Sequence, residues 1–269
     1  NYYVSETTPA YRKYDGMGLA MDGGANMLTQ EAASEVYKVD SVADLNPINL
    51  IAASVQTWSD QTRALDATVA EQAGIWRKHR VYSYLGNDGE LTTNANNLYP
   101  YTSFQPFDAW NHDQEPLSDQ WQKNSEITLY DVNSHALEAM DVNGNYAATK
   151  MDNKQERVYA TVANATYNEF AFSGAEDEPI GGYFGGKVKL EGEYVEGYGH
   201  TGAHWVLSRN GNDKGFSYEI TDVQSPGYHA SFWSTEPGAA IKYRERIGGV
   251  WSAEKAPQSL PLRSVQVGD

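Results

Sequence analysis

Hydrophobic and polar residues alternate along many short segments of this chain. A period of two is typical of a β-strand with one face in a core and the other in water. The pattern predicts strands at residues 78–85, 157–162, 170–174, 186–195, 204–208, 228–234 and 240–246. Groups rich in Asn, Asp, Gly and Pro predict turns at residues 87–89, 143–144, 210–213 and 225–227. The chain is therefore predicted to be mainly β.

Residues 62–74 (TRALDATVAEQAG) are the one helical candidate. The spacing of three to four residues that defines a helical face is approached by Ala64, Leu65, Thr68, Val69 and Gln72. Gly74 follows as a typical helix stop. Because the segment is short and weakly apolar, a surface loop is almost as good an interpretation.

Composition and pattern divide the chain into three parts. Residues 1–124 are a Trp- and Tyr-rich β region without a clear period, residues 125–166 carry a hairpin pattern, and residues 167–269 contain closely spaced strands. In the first part, residues 94–122 have the prolines and polar residues of a long ordered loop. We expect that loop to be packed by its aromatic side chains: Tyr99, Tyr101, Phe104, Phe107 and Trp110.

The charge of the chain is strongly negative. With 36 acidic and 20 basic side chains, the formal charge is -16, and no run of Lys and Arg offsets it. Such a surface repels phosphate backbones and anionic lipids, so we expect neither nucleic acid nor a membrane as a partner. It is compatible with divalent cations or a salty exterior, although solubility alone is the simplest explanation.

The chain contains no cysteine, which excludes disulfides, thiolate catalysis and Cys-ligated zinc. No apolar run approaches the ~18 residues of a membrane span. The first residues are NYYVSETTPAY rather than Met and a charged leader, and the last are SLPLRSVQVGD, which stop within a strand-like pattern. We therefore expect the chain to be part of a longer protein.

One segment has the sequence of consecutive hairpins. Residues 127–152 (ITLYDVNSHALEAMDVNGNYAATKMD) contain Tyr130-Asp131 and Asn143-Gly144, which predict bends where a carboxylate and a turn amide satisfy backbone groups. This run resembles the YD/Rhs repeat. In that repeat a Tyr-Asp pair opens a hairpin, and successive hairpins build a β shell.

The longer combination of GIWRKHRVYSY, WQKNSEITLYDVNSHALEAMDVNGNYAATKM, VANATYNEFAFSGAEDE and GHTGAHWVLS covers roughly residues 50–235. It is similar to the repeat-bearing region of large secreted cell-surface proteins of Bacteroidota. The resemblance implies export by type IX secretion and a role in gliding motility or adhesion. It also implies secretion or cell-surface machinery proteins as partners.

The part from Phe170 onwards resembles carbohydrate-binding jelly rolls, which are β-sandwiches. In those domains an acidic pair beside the first strand contributes to a structural calcium site, and Glu176 and Asp177 hold that position here. Residues 200–202 (His-Thr-Gly) match the turn before the strand that carries Trp205. The resemblance therefore implies bound Ca²⁺ and a final acidic ligand, for which Asp269 is one candidate. The alternative is a solvated acidic turn.

Exposed aromatic side chains are the remaining candidates for binding. Sugars stack their apolar faces on Tyr and Trp rings. The candidates for glycan binding are Tyr183, Trp205, Tyr228, Trp233 and Tyr243. Alternation predicts that about half of these rings point into the core. Phe232 and Trp233 are adjacent in a predicted strand, so at most one of them is a core residue.

Other chemistry finds little support. No nucleophile elbow, zincin helix, phosphate loop or dinucleotide fingerprint is present. His200 and His204 would lie about 13 Å apart in a strand, too far to share zinc. Glu191 and Glu193 have the Lys alternation of a solvated strand face rather than of a glycosidase pair. The basic run at residues 76–80 fits a solvated strand or cross-strand salt bridges.

These observations predict a non-enzymatic structural or adhesive segment of a large secreted cell-surface protein. Its jelly roll either docks structurally or binds glycan. One alternative is a carbohydrate-binding accessory module of a secreted polysaccharide-degrading enzyme. Another is the shell of an Rhs-type toxin carrier, which needs many more repeats than the one clear repeat in this sequence.

Overall fold

The computed structural model describes residues 2–85, 99–200, 202–209, 214–221, 230–235 and 239–256. The chain forms two compact units, Asn1–Phe170 and Ala171–Asp269. Strands dominate both units, so the mainly β class is confirmed. The boundary predicted at residue 124 falls inside the first unit, within a strand of its large sheet.

The first unit is built on one antiparallel sheet. Its strands, numbered along the chain, are β1 (Tyr2–Pro9), β2 (Glu31–Ser41), β3 (Asp44–Ser59), β4 (Arg77–Tyr84), β5 (Tyr99–Pro100), β6 (Trp121–Tyr130), β7 (Ala136–Asp141), β8 (Tyr146–Met151) and β9 (Val158–Ala163). The sheet follows the order β1-β2-β3-β4-β6-β7-β8-β9, and β5 pairs with β3. Neighbouring strands in this order are also consecutive along the chain, apart from β5, so the sheet is a meander.

Strands β1 to β3 are long, yet alternation did not predict them. The pairing of β2 with β3 is shifted at three places, near Tyr37, Val39 and Ser41. Each shift moves the following side chains relative to the two faces of the sheet. The burial pattern of β3 is accordingly irregular, with Asn49 and Leu50 both buried next to an exposed Ile51. A strand with such bulges leaves no clean period of two in the sequence.

The predicted aromatic loop packs as expected in its described part. Phe107 is buried in a cluster with Tyr82 and Trp121, and Tyr101, Phe104 and Trp110 pack against that cluster. The indole nitrogen of Trp121 donates to the carbonyl of Gln105 at 2.9 Å, which fixes the loop to β6. Residues 94–98 lie outside the described part of the chain, as does the side chain of Tyr99.

A second core cluster joins the segment after β1 to the end of β3. Its buried members are Ala10, Tyr14, Met17, Ala32 and Trp58. The backbone N–H of Trp58 donates to the Tyr14 hydroxyl at 3.1 Å. Burial raises the pKa of Tyr14 to about 12, so the hydroxyl stays neutral. Gly16 lies against the Trp76 ring, where an added Cβ would be 2.8 Å from the nearest ring carbon.

The helix predicted at residues 62–74 is mostly absent. Only Val69–Gln72 (α1) is helical, and Thr68 begins it with a capping box that includes Glu71. Before it, Ala64 pairs with Tyr130 as an isolated parallel bridge, and Asp66 has a positive φ of 59°. Pairing with the sheet therefore overrides the weak helical pattern.

The second unit contains small antiparallel sheets, which are consistent with the predicted β-sandwich. Its strands are β10 (Tyr183–Phe184), β11 (Val188–Leu190), β12 (Glu193–Glu196), β13 (His204–Leu207), β14 (Phe216–Ser217), β15 (Arg246–Ile247) and β16 (Val250–Trp251). The pairings are β10-β11-β14, β12-β13 and β15-β16. Among the described residues of both units, short 3-10 helices lie at Ala10–Arg12, Asp15–Met17, Ala20–Asp22, Tyr101–Ser103, Tyr167–Glu169 and Gly185–Lys187.

Several strand predictions are confirmed and others are wrong. Strands β4, β9 and β13 match the predicted segments closely. Residues 170–174 are not a strand, because Ser173 instead accepts from the amide of Ala175, which has a positive φ of 59°. The segment 186–195 is two strands, since the backbone of Gly192 lies against Leu207 so closely that a Cβ would be 2.6 Å from its carbonyl oxygen.

The C-terminal predictions are also corrected. Residues 230–234, the described part of one predicted strand, contain no strand. Within the segment predicted at 240–246, only an isolated bridge at Tyr243 and the first residue of β15 are paired.

Candidate functional site

The hairpins of the first unit are closed by three aspartates that share one geometry. Asp131, Asp141 and Asp152 follow or end strands β6, β7 and β8. In each turn the carboxylate accepts from the backbone amide four residues later, at distances of 2.8, 2.9 and 2.8 Å. In each turn one residue has a positive φ, namely Ser134, Gly144 or Gln155. The prediction that Tyr130-Asp131 and Asn143-Gly144 are turn chemistry is confirmed.

The third turn was not recognised in the sequence, because residues 152–157 (DNKQER) contain no Asn-Gly pair. The turn at Asp131 joins β6 to β7, and the turn at Asp152 joins β8 to β9. The side-chain amide of Asn133 donates to the side-chain oxygen of Gln155 at 3.1 Å, which links these two turns. Burial opposes ionisation of Asp152, but the amides of Glu156 and Arg157 outweigh it, so the pKa of Asp152 lies below its usual range. The three aspartates therefore hold the hairpins in place.

The basic run at residues 76–80 enters a partly buried ionic cluster. Arg77 and His79 are buried and Lys78 is exposed, which is the alternation expected of a strand. Arg80 pairs across the sheet with Glu126 at 3.0 Å. His79, 3.5 Å away, holds the pKa of Glu126 well below its usual range together with Lys123 and Arg80, against the opposing effect of burial. Of the two explanations given for this run, a solvated strand or cross-strand salt bridges, the Arg80–Glu126 pair shows the second.

A pair of facing glutamates in the first unit was not predicted from the sequence. Glu6 and Glu35 lie directly opposite each other on β1 and β2, and the Tyr101 hydroxyl donates to Glu35 at 3.3 Å. Burial raises the pKa of Glu35; Tyr101 and Lys13 oppose this effect, and the neighbouring Glu6 adds to it. Like charges directly opposite on two strands repel each other. The pair is thus a source of pH dependence in the first unit.

The second unit has an open pocket of about 420 Å³ lined by Glu176, Glu178, Pro179, Tyr194 and His204. The hairpin β12-β13 forms one wall, with the rings of Tyr194 and His204 stacked at a centroid distance of 5.0 Å and an angle of 8°. The two glutamates place carboxylates beside this aromatic pair. A stacked ring pair next to carboxylates suits a ligand that has both an apolar face and hydroxyl groups.

The predicted calcium residues lie in or beside this pocket. Glu176 accepts from the amides of Ala203 at 3.0 Å and His204 at 3.4 Å, and an added Cβ on Gly202 would collide with its carboxylate. Asp177 is buried, with one oxygen accepting from Gly185 N at 2.6 Å and the other, Oδ1, lacking a hydrogen-bond partner. Within the described ranges, no three Asp, Glu or His side chains form a metal-binding group. Asp269 lies outside them.

Four of the five predicted glycan-binding aromatics lie in the described part of the chain, and these four are exposed without ring contacts to one another. Tyr183, Trp205, Trp233 and Tyr243 are all exposed, whereas about half were expected in the core. Trp205 pairs with Val195, the neighbour of Tyr194, and so points away from the pocket side of the hairpin. Phe232 is half-buried beside the exposed Trp233, in line with the prediction that at most one of them is a core residue. Tyr228 lies outside the described residues.

The two histidines considered for zinc binding contact different rings, and the two glutamates considered as a glycosidase pair bind different side chains. His200 stacks on Trp233 with ring centroids 3.5 Å apart, whereas His204 stacks on Tyr194. Lys189 and Ser217 lower the pKa of Glu191 by hydrogen bonding to its carboxylate. Glu193 is held by Arg209.

Pairing across the β12-β13 hairpin brought Tyr194 and His204 together, which the sequence did not reveal. No helix in the described segments is long and apolar enough for a membrane span. Comparisons of the chain with protein-family models, curated proteins and solved structures give no match. Functional inference therefore starts from the geometry of the chain itself.

Proposed function

We propose that this chain is a non-enzymatic adhesive segment of a large secreted cell-surface protein, exported by type IX secretion, and that its second unit binds glycan. The observation that carries the binding role is the open pocket that is lined by the stacked Tyr194 and His204 rings and by the carboxylates of Glu176 and Glu178. Aromatic faces stack on the C–H surfaces of sugars, and carboxylates accept from sugar hydroxyls. The resemblance to secreted Bacteroidota proteins supports the cellular setting.

The first unit serves as a β scaffold in this proposal. Its three hairpin turns use their aspartates to close the backbone, and Asp131 and Asp152 are buried. Carboxylates that are saturated by backbone amides contribute order rather than chemistry. This arrangement supports a structural role for residues 125–166.

Affinity electrophoresis of the folded chain in gels that contain dextran, laminarin or xylan tests the glycan-binding role. We expect retardation by at least one of these neutral polysaccharides. Tyr194→Leu and Glu178→Gln should weaken this retardation about tenfold, because the first removes an aromatic face and the second replaces a carboxylate by a neutral amide. Tyr198→Leu is the matched control, since Tyr198 is fully exposed and does not line the pocket.

Circular dichroism and thermal midpoints establish that each variant is folded before binding is compared. Absence of retardation by all three polysaccharides contradicts the proposal. Equal retardation of the Tyr194 and Tyr198 variants excludes this pocket as the binding site.

Calcium binding at Glu176 and Asp177 forms part of the same proposal. The unpartnered Oδ1 of buried Asp177 supports it, because hard oxygen atoms are the ligands that Ca²⁺ prefers. Ca²⁺ should raise the thermal midpoint of the wild-type chain and leave that of Asp177→Asn unchanged. A midpoint that is the same in Ca²⁺ and in EDTA excludes the site.

A second candidate function is a repeat shell of the Rhs type. The three consecutive hairpins with equivalent aspartates favour it, since a shell is built from such units. The number of further hairpin repeats in the sequence of the full-length polypeptide distinguishes the candidates, because both predict a mass larger than that of this chain. A shell requires tens of further repeats and a mass several times the 29.8 kDa of this chain.

A further inference from the structure

A hairpin in the second unit carries an unusual group of cations. Strands β15 and β16 are joined by Gly248 and Gly249, whose φ values of 58° and 85° form a tight turn. Arg246 lies opposite Trp251, and the bridge between Tyr243 and Lys255 extends the pairing. This pairing fixes which side chains share a face.

One face of the hairpin is cationic and aromatic. Lys242, Arg244 and Arg246 are spaced two residues apart, as for side chains on one side of an extended segment. The guanidinium carbons of Arg244 and Arg246 lie 5.4 and 5.6 Å from the centroid of the Trp251 ring. Trp251 is 43% exposed, and the three cations are exposed as well. We call these four residues the cationic face.

The arginines of the cationic face differ from the lysines around them. Lys214 and Lys242 both pair with Glu254, and Lys255 pairs with Glu245. In the described part of the chain, no carboxylate lies within ion-pair distance of Arg244 or Arg246. Among the described residues, the one hydrogen bond from the Arg246 side chain goes to the carbonyl of Gly249, at 3.3 Å. Two unpaired arginines around one Trp are notable in a chain with 36 acidic and 20 basic side chains.

We infer that the cationic face binds an anionic polysaccharide, one whose sugars carry sulfate or carboxylate groups. Guanidinium groups bind such anions through paired N–H donors, and the exposed Trp ring offers an apolar surface to a sugar. The inference rests on the proposed glycan binding and adds a second contact site that selects for charge. We favour a polysaccharide over nucleic acid because the same unit has the pocket proposed for glycan; the net charge of -16 opposes both kinds of polyanion alike.

Dextran and dextran sulfate test the inference, because they share one sugar backbone and differ in charge. We expect the folded chain to bind dextran sulfate about tenfold more tightly than dextran in 0.15 M salt. The double variant Arg244→Gln with Arg246→Gln should remove this preference and leave dextran binding unchanged. Trp251→Leu should weaken dextran sulfate binding as well, since it removes the stacking surface.

A matched control removes the same number of positive charges nearby. Lys214→Gln with Lys255→Gln changes the net charge equally, but both lysines are already paired with glutamates. We expect this variant to retain at least half of the affinity for dextran sulfate. Poly-L-glutamate and a single-stranded oligonucleotide serve as polyanions without a polysaccharide backbone.

Each outcome has a separate meaning. Equal loss in the arginine and lysine variants shows that general charge is responsible and overturns the inference. Equal affinity for dextran sulfate and poly-L-glutamate, or tighter binding of the oligonucleotide, overturns the assignment to a polysaccharide. Binding of neutral polysaccharides through the Tyr194 pocket without preference for sulfate refutes this inference alone. Absence of binding to any neutral or sulfated polysaccharide refutes the proposed function as well.

Discussion

The carboxylate of Asp131 holds His135 at two points, with Oδ1 2.8 Å from the backbone N–H and Oδ2 2.7 Å from ring Nδ1. Asp131 is almost fully buried, whereas the side chain of His135 is half-exposed. The carbonyl of Asp131 also accepts from the amide of Ser134 at 3.1 Å. One buried carboxylate thus organises the entire turn between β6 and β7.

Replacing Asp131 tests whether this turn stabilises the first unit. Asp131→Ala leaves the amide of His135 without its acceptor and should cost about 1–3 kcal/mol in the free energy of unfolding. Urea denaturation followed by tryptophan fluorescence measures the loss. Asp141→Ala is the control, because Asp141 makes the same type of turn in an exposed position. An equal loss in both variants contradicts the role assigned to burial.

The Glu126 cluster predicts a loss of stability in acid. The pKa of Glu126 is lower in the folded chain than its ordinary value of 4.5, so the unfolded chain binds the proton more readily. Its contribution is fully present above that ordinary value and is lost as the pH falls towards the folded pKa. Glu126→Gln should therefore be less stable at pH 7 and show a shallower decline between about pH 5 and pH 2. Parallel pH curves for both proteins contradict the prediction.

The raised pKa of Glu35 predicts that its contribution to stability changes with pH in the opposite direction to that of Glu126. Burial raises the pKa of Glu35 in the folded chain above 4.5, so the folded state holds the proton more tightly than the unfolded state does. Stability is therefore lost as the pH rises from 4.5 through the folded pKa of Glu35. Glu35→Gln should be more stable than wild type at pH 7 and lose that advantage below about pH 4. Denaturant midpoints at both pH values measure the difference, and a less stable variant at pH 7 refutes the assignment.

Lys150 is a buried cation over an aromatic ring. Its Nζ lies 3.4 Å from the centroid of the Tyr167 ring, and Lys150 is 1% exposed. A double-mutant cycle with Lys150→Met and Tyr167→Leu should give a coupling energy of about 1–2 kcal/mol. The same cycle on exposed Lys13 and half-buried Trp110, with Lys13 Nζ 4.7 Å from the ring centroid, should give less. A larger coupling for Lys13 and Trp110 than for Lys150 and Tyr167 contradicts the prediction.

Local patterns succeeded where the interactions that stabilise an element lie within a few residues of each other. The turn at Asn143-Gly144 is one example, because Asp141 bonds to residues only two to four positions later. The aromatic loop around Phe107 is another, since aromatic side chains in a polar segment favour packing. The short helix at Thr68 shows the limit, because a distant contact of Ala64 with Tyr130 decided its length.

The sites depended on contacts that no local pattern contains. Tyr194 meets His204 because of the register of β12 and β13, and Arg246 meets Trp251 because of the turn at Gly248-Gly249. No sequence motif marks the ring pair of Tyr194 and His204 or the contact of Arg246 with Trp251. Burial of Asp177 and the like-charge pair of Glu6 and Glu35 likewise arise from strand pairing and packing.

The mainly β class, the Asp131 and Asn143-Gly144 turns and the strong negative charge can all be read from the sequence alone. These depend on side-chain alternation, on turn residues and on composition, all of which are properties of short segments. The bulged pairing of β2 with β3, the pocket at Tyr194 and the position of two arginines beside Trp251 require the three-dimensional structure. Those features depend on which distant residues come into contact, and that is set by packing of the whole unit.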